Sequence, residues 1–105
     1  MQIIRGTTPT IQINVLSDID MTTITQVWVY IAQQNKTKVD KVISDVWIDV
    51  AEKIIKVTLT QEDTLDLRAG DALFQIRLLL NDGTALATVA SKVNVIEVYK
   101  GGVIA

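Results

Sequence analysis

The stretch Gln26–Gln33, QVWVYIAQ, decides how the chain is read. Its period is two. Val27, Val29 and Ile31 fall on one face, and Trp28, Tyr30 and Ala32 on the other. A helix would mix these sets, whereas a strand keeps them on opposite sides of a sheet. Both faces are apolar, so one must line a core and the other is surplus.

The same period recurs outward from this segment. Residues 10–15 (TIQINV) set Ile11, Ile13 and Val15 against Gln12 and Asn14. Residues 55–60 (IKVTLT) set Ile55, Val57 and Leu59 against Lys56 and Thr58. Residues 92–98 (KVNVIEV) set Val93 and Val95 against Lys92 and Asn94, and then Ile96 and Val98 change face, which predicts a bulge or a switch of side. Alternation of Val and Ile with polar residues marks half-buried strands of an antiparallel sheet.

Strands are predicted near 2–5 or 2–6, 10–16, 25–33, 37–43, 45–50, 54–59, 71–80 and 86–98, the first being short enough to be only a lead-in to the second. Turn residues divide them. Ser17-Asp18-Ile19-Asp20 opens a loop, Asn35-Lys36 reads as a tight reversal, and Ala51-Glu52-Lys53 as a hairpin. Leu78–Thr84 (LLLNDGT) ends a greasy strand in Asn81-Asp82-Gly83, where the glycine supplies the positive φ that a hairpin needs.

Residues 60–71 (TQEDTLDLRAGD) break the alternation. Thr60 with Asp63 reads as a helix N-cap with an acidic first turn, and Gly70 stops the segment. A turn or two of helix is predicted here, crossing between sheets and plugging the core with Leu65 or Leu67. Short strands with one crossover and no long helix define an all-β, immunoglobulin-like antiparallel two-sheet sandwich of about seven strands, a single domain over 1–105.

Composition narrows the function classes. The chain is 49% hydrophobic and 21% charged, the balance of a folded domain. A net charge of -2 gives no electrostatic footprint for nucleic acid or an anionic membrane. Neither cysteine nor histidine occurs, which removes thiol chemistry, disulfides, the usual general base and the commonest metal ligand. Asp18 with Asp20, and Glu62 with Asp63 and Asp66, are the acidic clusters. Calcium needs more oxygens than either offers, so they read as a solvated turn and a helix start. Ser91 and Lys92 are strand neighbours on opposite faces and cannot cooperate. No catalytic residue, metal site or cofactor is expected. The N-terminal residues lack the pattern of a secretory signal, and no apolar run reaches the length of a membrane span.

The run from Leu59 to Thr88 carries a particular order: Leu59-Thr60, the acidic Glu62-Asp63, Ala69-Gly70, a strand with Phe74, Ile76 and Leu78, then Asp82-Gly83-Thr84. Residues 54–98 resemble the immunoglobulin-like domains of tail and baseplate proteins from phages and prophages of Gram-positive bacteria, the N-terminal domain of the baseplate upper protein in particular. The resemblance implies a small structural or accessory virion component, placed in a virion or, when prophage-encoded, in the bacterial cytoplasm. It implies no catalytic residues.

The candidate interface is aromatic and aliphatic. Trp28 and Tyr30 point outward if the valine face lines the core, although a tryptophan at this position of a sandwich can also be a core residue. In residues 45–50 (DVWIDV), Trp47 stands between Asp45 and Asp49 and is expected outside. Val103 and Ile104, with Ala105, form an apolar tip after the Gly101-Gly102 hinge. Tryptophan and tyrosine are enriched among interface anchors, so protein partners are expected, either further copies of the chain or other virion proteins. The same rings would serve a carbohydrate- or ligand-binding sandwich.

Overall fold

The computed structural model describes residues 1–15, 18–88 and 90–104. Leu16, Ser17, Val89 and Ala105, which belong to the predicted second strand, first loop, last strand and tail, lie outside the described residues. The elements are β1 (Gln2–Ile4), β2 (Thr10–Asn14), β3 (Ile24–Gln33), β4 (Lys36–Val42), β5 (Val46–Asp49), β6 (Ile54–Thr58), α1 (Gln61–Leu65), β7 (Gly70–Leu80), β8 (Ala85–Ala87) and β9 (Ser91–Ile96). A large sheet runs β1-β9-β7-β3-β4, with β8 also on β7, and a small sheet runs β2-β6-β5. The fold is the two-sheet β-sandwich expected from the alternation.

Three expectations need correction. The large sheet is mixed rather than wholly antiparallel, because β1 pairs parallel to β9, Ile3 beside Val95. The first piece is therefore a strand in its own right. Its hydrogen bonds run to the far end of the sequence, and no local pattern announces them. The predicted strand 86–98 divides into β8 and β9, which take successive stretches of β7: Ala85–Ala87 against Leu79–Arg77, and Ser91–Val95 against Phe74–Gly70. The β3–β4 reversal also sits one residue earlier than read. Gln33 pairs with Lys36, and Gln34 and Asn35 both take positive φ, the geometry of a type I′ turn.

The two periodic sets meet in one core. Val27, Val29 and Ile31 of β3, Phe74, Ile76 and Leu78 of β7, and Val93 and Val95 of β9 face Ile11, Ile55 and Val57 of the small sheet. Burying each such side chain contributes about 1.5–3 kcal/mol. A bulge at Thr25, between the pairs Ile24–Leu80 and Gln26–Leu79, restores the phase so that Ile24 also turns inward. The loop after Leu80 closes as predicted: Thr84 donates to Asp82 Oδ1 at 2.8 Å, and Gly83 takes φ 88°.

Polar groups seal one end. Thr60 caps α1, accepting from the Asp63 N–H at 3.1 Å while the Asp63 carboxylate accepts from the Thr60 N–H at 2.8 Å. Leu67, just past the helix, is wholly buried, and it is Leu67 rather than Leu65 that plugs the core. Arg5 reaches the carbonyls that α1 leaves without helical partners. Its Nε donates to Leu67 O at 2.6 Å and its Nη2 to Leu65 O at 2.9 Å, while Nη1 pairs with Glu97. Thr64, fully buried, donates to Thr7 O at 2.8 Å. Gly6 allows the close approach: its φ is 77°, and a Cβ there would meet the Leu65 side chain at 3.4 Å.

Candidate interaction surfaces

The pleat settles where the candidate rings stand. Trp28 and Tyr30 alternate with the wholly buried Val27, Val29 and Ile31, so both lie on the outer face of the large sheet, half-buried by their neighbours. The outward position, one of two readings open from sequence, is the observed one. Trp47 pairs with Lys56 and alternates with the inward Ile48, which puts it on the outer face of the small sheet, 63% exposed. The Lys56 Nζ lies 5.0 Å from the Trp47 ring centroid, a cation–π contact that occupies one face of the indole. Val103 and Ile104 are exposed as well. Ile104 is tied to the Gln61 side chain of α1 by two hydrogen bonds, its N–H donating at 2.8 Å and its carbonyl accepting at 3.0 Å. The five candidate residues therefore fall on three separate parts of the surface: Trp28 with Tyr30, Trp47 alone, and Val103 with Ile104.

Around that pair the outer face of the large sheet is assembled in cross-strand rows. One row reads Val42, Trp28, Arg77, Ala87 across β4, β3, β7 and β8. The next reads Asp40, Tyr30, Gln75, and the third Thr37, Ala32, Leu73, Lys92. Leu73 is 52% exposed and Val42 is also open. A shallow depression of about 390 Å³ lies between Tyr30, Ala32, Thr37, Leu73, Gln75, Arg77 and Ala90. Leu73 and Val42 carry no charge and sit beside aromatic rings, a signal readable from sequence only once the strand register is known.

A second apolar region lies where the sandwich gapes. Ile13 and Val15 of the β2 edge face Leu86 and Thr88 at the β8 edge across a groove of about 350 Å³ floored by Ile55 and Ile76. Val15 donates to Lys53 O and Leu59 to Pro9 O, so the odd-numbered peptides of β2 bond to β6, and those of Thr10, Gln12 and Asn14 turn to the open edge. A third recess, near 180 Å³, is polar and lies among Lys36, Lys38, Arg68 and Asp71, with the Gln33 amide clamping Arg68 through its N–H and carbonyl, each at 2.8 Å.

Three of the carboxylates hold local structure. Asp20 accepts from the Thr22 hydroxyl at 2.7 Å and the Thr22 N–H at 3.0 Å, which hold it below the usual carboxylate range and cap the 3₁₀ turn Met21–Thr23. Burial pushes Asp63 up, but its bonds with Lys41, 2.8 Å away, and with Thr60 outweigh that and leave it below the ordinary value. The Val98 N–H, then Arg5, hold Glu97 low. No three carboxylates converge among the described residues, and no helix there is long and apolar enough to cross a membrane.

No protein-family model and no curated protein matches the chain. Among solved structures it is similar to AggA, the major subunit of aggregative adherence fimbriae type I from Escherichia coli, at 12% identity and a TM-score of 0.35, over 92% of this chain and 89% of that one.

Proposed function

We propose that this protein is a non-catalytic structural module that works by self-association, its contacts carried by sheet surface rather than by a pocket. The observation that carries this reading is the outer face of the large sheet, where Trp28, Tyr30, Ala32, Leu73 and Val42 form a contiguous apolar field. Aromatic residues grouped on the solvent side of a sheet mark a contact surface. The acids support the same reading, since Asp20, Asp63 and Glu97 are each engaged in caps and ion pairs, and none stands as a raised-pKa acid or base.

A place in a phage or prophage tail assembly is the setting we favour, on the resemblance of residues 54–98. Co-sedimentation of the protein with purified particles tests that setting. Self-association is tested by sedimentation velocity across a concentration series reaching the millimolar range. Reversible growth in mass supports the proposal, and a strict monomer throughout contradicts it.

The exposed Trp47 ring favours one alternative, stacking on a sugar. Titrating the protein with saccharides while following tryptophan emission separates the two: a saturable response that a Trp47→Ala variant loses would favour glycan binding.

A further inference from the structure

We infer that the self-association proposed above, on which this step rests, is a two-fold pairing of large sheets face to face, with the axis running along β3. The partner is a second copy of the chain. The rows of the sheet specify this geometry. Rotation about an axis along β3 sets β4 of one copy over β7 of the other. Trp28 and Tyr30 then meet their own counterparts at the centre, and Leu73 lies over Thr37.

The charges agree with that arrangement. The field has an anion, Asp40, on its β4 side and a cation, Arg77, on its β7 side, both exposed. Lys41, Lys92 and Arg5 have carboxylate partners at 2.8 Å, at 3.1 Å and through Glu97, but among the described residues neither Asp40 nor Arg77 is in an ion pair. In the two-fold pair Asp40 faces Gln75 of the other copy, and Arg77 lies one row along, about 7 Å in strand rise. That is within reach of a guanidinium on its flexible stem. Symmetry makes the pair twice, flanking the aromatic centre on either side.

The overlap is that of a small interface. With the axis along β3 and β4 at the sheet edge, three strands overlap, about 14 Å wide by about 27 Å for eight residues, a footprint on the order of 400 Å² before the relief of the side chains is counted. That is below the roughly 800 Å² per partner of a standard interface and fits a weak, concentration-dependent pairing. Charges at the rim and rings at the centre are the usual division of such a surface.

Sedimentation velocity on the full chain and its variants tests the pairing, with far-UV circular dichroism confirming the fold of each. Leu73→Lys, a change at an exposed position, is expected to weaken association roughly tenfold or more. Asp40→Arg alone sets like charges together and weakens it, and combining it with Arg77→Asp restores it. Trp47→Ala and removal of residues 103–105 leave it unchanged. If the wild-type chain associates but Leu73→Lys and Asp40→Arg do not weaken it, or if Trp47→Ala abolishes it, the face and axis assigned here are wrong while self-association stands. If the wild-type chain never associates, self-association and the pairing fall together.

Discussion

One end of this sandwich is sealed and one side is open, and the two are built from different materials. At the sealed end, side-chain hydrogen bonds cross from element to element. Arg5 holds two carbonyls beyond α1, Thr64 holds Thr7, and Gln33 clamps Arg68. Leu67 fills the space behind them with no exposure. Along the β2–β8 side, mainly apolar side chains line a groove, and the strands that flank it turn peptide groups outward. Hydrophobic burial alone brings the layers together, but polar links between layers close the end and fix its geometry.

Mutations can break or sharpen that contrast. The largest effect is expected from Leu67→Ala, which opens a cavity behind a rigid polar lid and should cost about 3–5 kcal/mol in urea unfolding. At the groove, Ile13→Ala should cost about 1 kcal/mol, because its surroundings are already open to water and no closed cavity forms. Equal costs at these two sites would show that the groove is sealed in solution. Between them lies Thr64→Val, which keeps the shape but leaves the Thr7 carbonyl without its partner and should cost about 1–2 kcal/mol.

The acids give a smaller, pH-dependent contrast. Asp63 and Glu97 are held below their unfolded values, so their contribution is fully present above the unfolded pKa, near 3.8 for an aspartate, and is lost as pH falls through the lower folded value. Stability should therefore decline on acidification below about pH 4, and Asp63→Asn should flatten part of that decline in a thermal-melt series. The smallest effect belongs to Trp47→Ala. It removes an exposed ring and one cation–π contact and should change stability by no more than about 0.5–1 kcal/mol.

Much of this was legible in the sequence because alternation reports burial directly. Ile11, Ile55 and Val57 are read as core from their spacing and are core, whereas spacing alone leaves open which face of β3 turns inward, and the structure turns in Val27, Val29 and Ile31. The Thr60–Asp63 cap and the Gly83 turn are local, so local residues announce them. The candidate residues outside the core were legible only one at a time. That Trp28 and Tyr30 share a face with Leu73 and Val42, while Trp47 lies on the other sheet, depends on register between strands far apart in sequence. The parallel pairing of β1 with β9 and the reach of Arg5 to Leu65 and Leu67 are long-range for the same reason. Leu73 in particular reads as one more apolar residue of a hydrophobic strand until its partner Ala32 fixes the side on which it points.

The claim on which the functional reading turns is that the two indoles occupy opposite outer faces, of which only one is a contact surface. Single-tryptophan variants test it directly, with emission followed as protein concentration rises. With Trp47→Phe, leaving Trp28, the expected result is a blue shift that tracks association as that ring loses water. With Trp28→Phe, leaving Trp47, the emission should stay where it was. A shift confined to Trp47, or association with no shift at Trp28, would contradict the claim.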